Sequence, residues 1–62
     1  MASIKEILMK RDGMSEINAE SLIDEARSEI NECLAEGGGY EEVEEIMIDY
    51  FGLEIDYIWE LI

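Results

Sequence analysis

The chain contains no proline and no histidine, one cysteine, and only four lysines and arginines among its 62 residues. Each shortage narrows the reading. Without histidine the commonest general base and the commonest zinc ligand are both missing. A lone Cys33 cannot staple its own fold, and with no histidine partner it has nothing to activate it as a nucleophile. No apolar run approaches the roughly 20 residues needed to cross a bilayer. The N-terminus, Met1-Ala2-Ser3-Ile4-Lys5-Glu6, lacks the apolar core and cleavage site of a signal peptide, so a cytoplasmic protein is expected. Valine and threonine are scarce and no stretch alternates with period two, which argues against strands.

Acid fills the space that base leaves. Seventeen aspartates and glutamates give a formal net charge of -13. The distribution is uneven. Residues 1–12 hold Lys5, Lys10 and Arg11 against Glu6 and Asp12, whereas from residue 13 onward Arg27 stands alone against fifteen acids. Such a field repels nucleic acids and anionic membrane surfaces and attracts basic proteins. Apolar residues make up 48% of the chain, too many for a disordered acidic tail. One domain over residues 1–62 is expected, and a chain of this size buries only about 60% of the surface its unfolded form exposes.

Three breaks, at Asp12-Gly13, Gly37-Gly38-Gly39 and Gly52, divide the chain into four helical segments. Ser3 and Glu6 have the spacing of a capping box, and Ile4, Ile7 and Leu8 share a face of a helix over 3–10. Ser15 is placed to cap a longer helix over 16–36, whose stripe is Ala19, Leu22, Ile23, Ala26, Ile30, Cys33 and Leu34. A third helix over 40–51 turns Val43, Ile46, Met47, Tyr50 and Phe51 inward and ends at Gly52. A fourth, over 55–62, directs Tyr57, Ile58, Leu61 and Ile62 to the core. The expected fold is all-α, a compact bundle of three to four short helices.

No spacing of Ser, Lys or Gly matches a nucleophile or phosphate loop, and no acidic run has the loop and glycine turn of a calcium site. No catalytic residue, metal or cofactor is therefore assigned. The remaining candidates are surface residues. Glu25, Glu29, Glu32 and Glu36 form one row on the second helix, and Glu41, Glu42, Glu45 and Asp49 oppose the apolar face of the third. Within each set, pairs three or four residues apart cost about 0.2–0.5 kcal/mol each in like-charge repulsion, with no lysine interleaved. Solubility alone asks for a net charge of about 2–8 in magnitude. A charged face kept for solubility and a halophilic origin are the plain alternatives. The third is a face shaped to meet a basic protein surface, such as the groove of a nucleic-acid-binding enzyme. Two apolar residues stand off the core pattern: Ile48, among the acids of the third helix, and Trp59, which reads equally as an interface anchor or as a lid on a small core. With Ile55, Ile48 could instead seam a homodimer.

The run Arg11-Asp12-Gly13-Met14-Ser15, the Glu/Ala-rich helix after it, Tyr40-Glu41-Glu42 and Gly52-Leu53-Glu54-x-Asp56-Tyr57-Ile58 resemble a group of short acidic helical proteins of bacterial phages and mobile elements. The resemblance spans nearly the whole chain and rests on caps and core positions, so it implies fold more than activity. That group often has proline where Ile55 stands and aspartate where Gly39 stands, which predicts softer starts for the third and fourth helices here. Small acidic proteins of such origin include nucleic-acid mimics and anti-CRISPR inhibitors. The reading is an acidic binding module for a basic, nucleic-acid-binding partner, with a structural homo-oligomer or assembly adaptor as the alternative.

Overall fold

A computed structural model describes residues 3–61. Three α-helices run over Ile4–Arg11 (α1), Glu16–Ala35 (α2) and Tyr40–Phe51 (α3), followed by a short 3-10 helix over Ile55–Glu60. No strand occurs among the described residues, and the chain is an all-α bundle. Local chemistry explains the boundaries. The Ser3 hydroxyl accepts the Glu6 N–H and the Ser15 hydroxyl accepts the Asn18 N–H, both at 3.2 Å, so each helix start has an orphan donor satisfied. At the other ends, Gly13 and Gly52 adopt φ of 69° and 64°, the left-handed turn that side chains resist.

α2, about 30 Å long at 1.5 Å per residue, sets the long axis of a molecule measuring 34 × 19 × 17 Å. α1 and α3 both pack on it, and the 3-10 helix packs on α3. Ile4, Leu8, Ala19, Ala26, Ile30, Val43, Met47, Phe51 and Leu61 form the buried core. The fully buried alanines of α2 let its neighbours approach closely, while Phe51, Ile4, Leu8, Ile30 and Met47 are the largest fully buried side chains. Two polar contacts tie the C-terminal 3-10 helix down. Glu60 Oε1 accepts the Ile4 N–H at the start of α1 (3.0 Å), and Arg27 donates to the Leu61 carbonyl (3.3 Å).

The structure departs from the sequence expectation at two places. The fourth segment, expected as a helix over 55–62, is a six-residue 3-10 helix, and Ile62 lies outside the described residues. Glu54 supplies no side-chain cap there, and a helix this short gains little from the α pattern. Three residues per turn bring Ile55, Ile58 and Leu61 to one edge, and Leu61 is buried while the other two are half-buried. The same period sends Asp56 and Trp59 to the other side, and Trp59 is 76% exposed. Leu34, expected on the inner stripe of α2, is 47% exposed, because it sits in the last turn beside the reversal into α3. At the start of α3, Gly39 has no side chain to cap the helix, and Glu42 Oε2 accepts the Gly39 N–H at 2.9 Å.

The α2–α3 reversal depends on Gly38. Its N–H donates to the Cys33 carbonyl at 2.8 Å, and a Cβ placed there would lie 2.7 Å from that carbonyl oxygen and 2.3 Å from Cys33 Sγ. The sulfur can rotate away, but the backbone oxygen cannot. Gly38→Ala should therefore destabilise the fold by about 1–3 kcal/mol, read as a lower midpoint in urea. Adding Cys33→Ala should recover only part of that loss.

Candidate partner-binding groove

The turn at Gly37–Gly39 folds α3 back along α2, and an open groove of about 1060 Å³ lies between them. Its ends pair in antiparallel order: Glu36 and Glu42 line the end by the turn, and Glu25 and Asp49 the other. Eight carboxylates line it in all, from Asp24, Glu25, Glu29, Glu32 and Glu36 on α2 and from Glu42, Glu45 and Asp49 on α3. Half-buried Cys33, Ile46 and Tyr50 contribute to the same lining. The apolar stripes that hold α2 to α3 thus bring the acidic row beside each stripe to face the other across the seam.

Seven of the ten surface candidates read from sequence converge here: Glu25, Glu29, Glu32, Glu36, Glu42, Glu45 and Asp49. The other three do not. Glu41 is exposed outside the groove, Ile48 lines a separate hollow on the far side of α3, and Trp59 projects from the 3-10 helix. Ser28 and Tyr50 line the groove without standing out as surface candidates in the sequence. Tyr50 sits on the apolar face of α3 by its spacing, and its hydroxyl reaches out to donate to a Glu29 carboxylate oxygen across the groove.

No cation lines the groove. Three of the four basic residues are engaged in ion pairs among the described residues. Lys5 bridges Glu16 and Glu20 at 3.3 and 3.1 Å near the start of α2. Arg11 holds Asp12 at 2.9 Å and also donates to the Phe51 carbonyl at the end of α3. Arg27 pairs with Asp24 at 3.2 Å on the groove's edge. Among the described residues, the remaining seven lining acids have no ion-pair partner within 4 Å. The geometry is that of a charged trough. No three acidic or thiol groups among the described residues come together as a metal-holding cluster, so the carboxylates are spread along the groove.

The Glu29 carboxylate holds the Tyr50 phenol in its protonated form, raising its pKa above the ordinary 10.0; desolvation and the charge of Glu25 act in the same direction. A pKa raised on folding contributes stability that is whole below the unfolded value and lost as pH climbs through the folded one. Lys5, raised chiefly by its bond to Glu20, has the same sign. The fold should therefore weaken as pH rises past about 10. Tyr50→Phe should make that alkaline decline shallower, measured as thermal midpoints from neutral pH upward. An unchanged slope would remove Tyr50 from the account.

Among membrane-related features, no helix of the described residues is long and apolar enough to cross a bilayer. Compared with family models, curated proteins and solved structures, the chain finds no match.

Proposed function

We propose that this protein is an acidic binding module whose α2–α3 groove engages a basic surface on a nucleic-acid-binding protein, acting as a nucleic-acid mimic in the manner of anti-CRISPR inhibitors. The observation that carries the reading is the groove itself: eight carboxylates on two facing helices with no cation in the lining. A glutamate row on a helix repeats every turn, about 5.4 Å, and the phosphates of one DNA strand repeat about every 3.4 Å. The match is coarse, yet a channel lined by flexible lysines and arginines tolerates such a mismatch. Many weak pairs of this kind speed association and select partners more than they set affinity. The repulsion stored between like charges in the free protein is relieved when a basic surface neutralises them. No catalytic step or cofactor enters the proposal, and its setting is the cytoplasm.

The test is capture from a cell lysate with the tagged protein at low and at high salt. Nucleic-acid-binding proteins that elute as salt rises support the reading, because the Debye length falls from about 30 Å at 0.01 M salt to about 3 Å at 1 M. Partners held equally at both salts would contradict it.

A second reading, a homo-oligomer or assembly adaptor, is favoured by the exposure of Ile48 and Trp59, 54% and 76% respectively. It predicts a dimer that forms as concentration rises and is lost in Trp59→Ala, followed by sedimentation.

A further inference from the structure

On the side of α3 away from the groove, the chain leaves α3 at Gly52 and turns into the 3-10 helix, bordering an open hollow of about 320 Å³. Its apolar lining is Ile48, Leu53 and Ile55, and its acids are Glu44, Glu54 and Asp56. Ile48 is 54% exposed, a high value for a residue in the middle of a helix that buries Val43, Met47 and Phe51. None of the three acids has an ion-pair partner among the described residues. Arg11, whose guanidinium lies 3.9 Å from where a Cβ at Gly52 would sit, is committed to Asp12 and the Phe51 carbonyl.

We propose that this hollow is a second docking point, which receives one branched apolar side chain carried on a lysine- or arginine-rich segment of a protein partner. Charge decides the occupant. A second copy of the chain would bring three acids against three acids within an overall charge of -13 on each side, and an anionic membrane surface is repelled in the same way. A basic segment instead neutralises Glu44, Glu54 and Asp56 at the rim while its apolar residue covers Ile48 and Ile55. An apolar anchor ringed by complementary charge is the usual construction of an energetic centre in an interface. The hollow lies on the opposite side of α3 from the groove and shares no residue with it, so the inference does not rest on the groove's function.

The experiment uses the whole protein and two synthetic peptides, each with a single central residue between lysines, leucine in one and serine in the other. The leucine peptide should bind about tenfold more tightly than the serine peptide, the scale expected for burying one aliphatic side chain. Backbone amide shifts should move at Ile48, Leu53 and Ile55. In Ile48→Ser, an exposed position whose replacement leaves the core intact, the leucine advantage should vanish. In the groove variant Glu29→Gln/Glu32→Gln/Glu45→Gln it should persist, which separates failure of this site from failure of the groove. Equal binding of the two peptides, no binding of either, or shifts confined to the groove would overturn the proposal. So would a concentration-dependent dimer that Ile48→Ser dissolves, since the hollow would then belong to a self-interface.

Discussion

Reversing Glu29, Glu32 and Glu45 to lysine should abolish capture of the basic partner, a loss of at least about a hundredfold in affinity, while the helical circular dichroism signal survives. All three carboxylates line the groove, two from α2 and one from α3. They are exposed, so no core packing is disturbed. Each reversal removes one attraction and introduces one repulsion, and like-charge juxtaposition across an interface costs several kcal/mol. Glu41→Lys, set against Glu45→Lys alone, supplies the internal control. Glu41 belongs to the same helix as Glu45 and is exposed, but it lies outside the groove. If the groove rather than total charge decides binding, Glu41→Lys should weaken capture only slightly. Equal losses from equal charge changes inside and outside the groove would make the acidity a bulk property. Glu32→Lys with Glu45→Lys, which leaves the Glu29–Tyr50 bond in place, should also raise thermal stability at low salt, because it breaks rows of like charges spaced three and four residues apart.

Phe51→Ala should remove at least about a third of the protein's stability. The ring is 1% exposed and belongs to the set of largest fully buried side chains. It closes the last turn of α3 against the core, where the Phe51 carbonyl also receives Arg11. Removing a buried phenylalanine ring costs about 3–5 kcal/mol. At roughly 0.05–0.15 kcal/mol per residue a chain of this length has about 3–9 kcal/mol in total, so one such loss takes between about a third and all of the stability. Urea unfolding followed by circular dichroism measures it. A midpoint close to that of the parent protein would mean that the 3-10 helix collapses into the space, and that the core described around Phe51 is looser than its burial implies.

These two predictions rest on parts of the molecule that differ in how far the sequence discloses them. Ser3, Ser15, Gly13 and Gly52 mark the limits of α1, α2 and α3 by chemistry confined to neighbouring residues, so the sequence alone places those helices. The C-terminal segment cannot be typed in the same way. Ile55, Ile58 and Leu61 recur every three residues, a spacing that fits a 3-10 helix as well as one face of an α-helix, and only packing on α3 and the ties through Glu60 and Arg27 distinguish them. Leu34 continues a valid stripe past the point where a neighbouring helix covers it. Periodicity reports which residues share a face but not how far the partner extends.

The groove is legible by halves. Each acidic row follows from the sequence of its own helix. Their convergence follows from the reversal at Gly38, which fixes the side of α2 along which α3 returns, and no local pattern states that. Glu41 and Glu45 are a turn apart and look equivalent on a helical wheel, yet only Glu45 lines the groove. Tyr50 belongs by its spacing to the apolar face, and its ring does pack on the core. Its hydroxyl reaches Glu29 because the ring lies at the seam between stripe and row. A tyrosine at the border of an apolar stripe beside an acidic row is the signal that points to such a contact.

The two proposed docking features lie on either side of α3, so a partner that used both would wrap this helix. The hollow would then fix register through an apolar contact that salt does not screen, while the groove supplies the long-range attraction that salt does screen.

The central claim is that the groove takes the place of nucleic acid on a basic partner, and competition tests it most directly. A captured partner is loaded with fluorescently labelled nucleic acid, and anisotropy is followed as the protein is titrated in. The account predicts complete displacement, with a midpoint that rises in proportion to the nucleic acid present, and no displacement by the variant reversed at Glu29, Glu32 and Glu45. A ternary complex, in which the protein binds and the label stays in place, would contradict it.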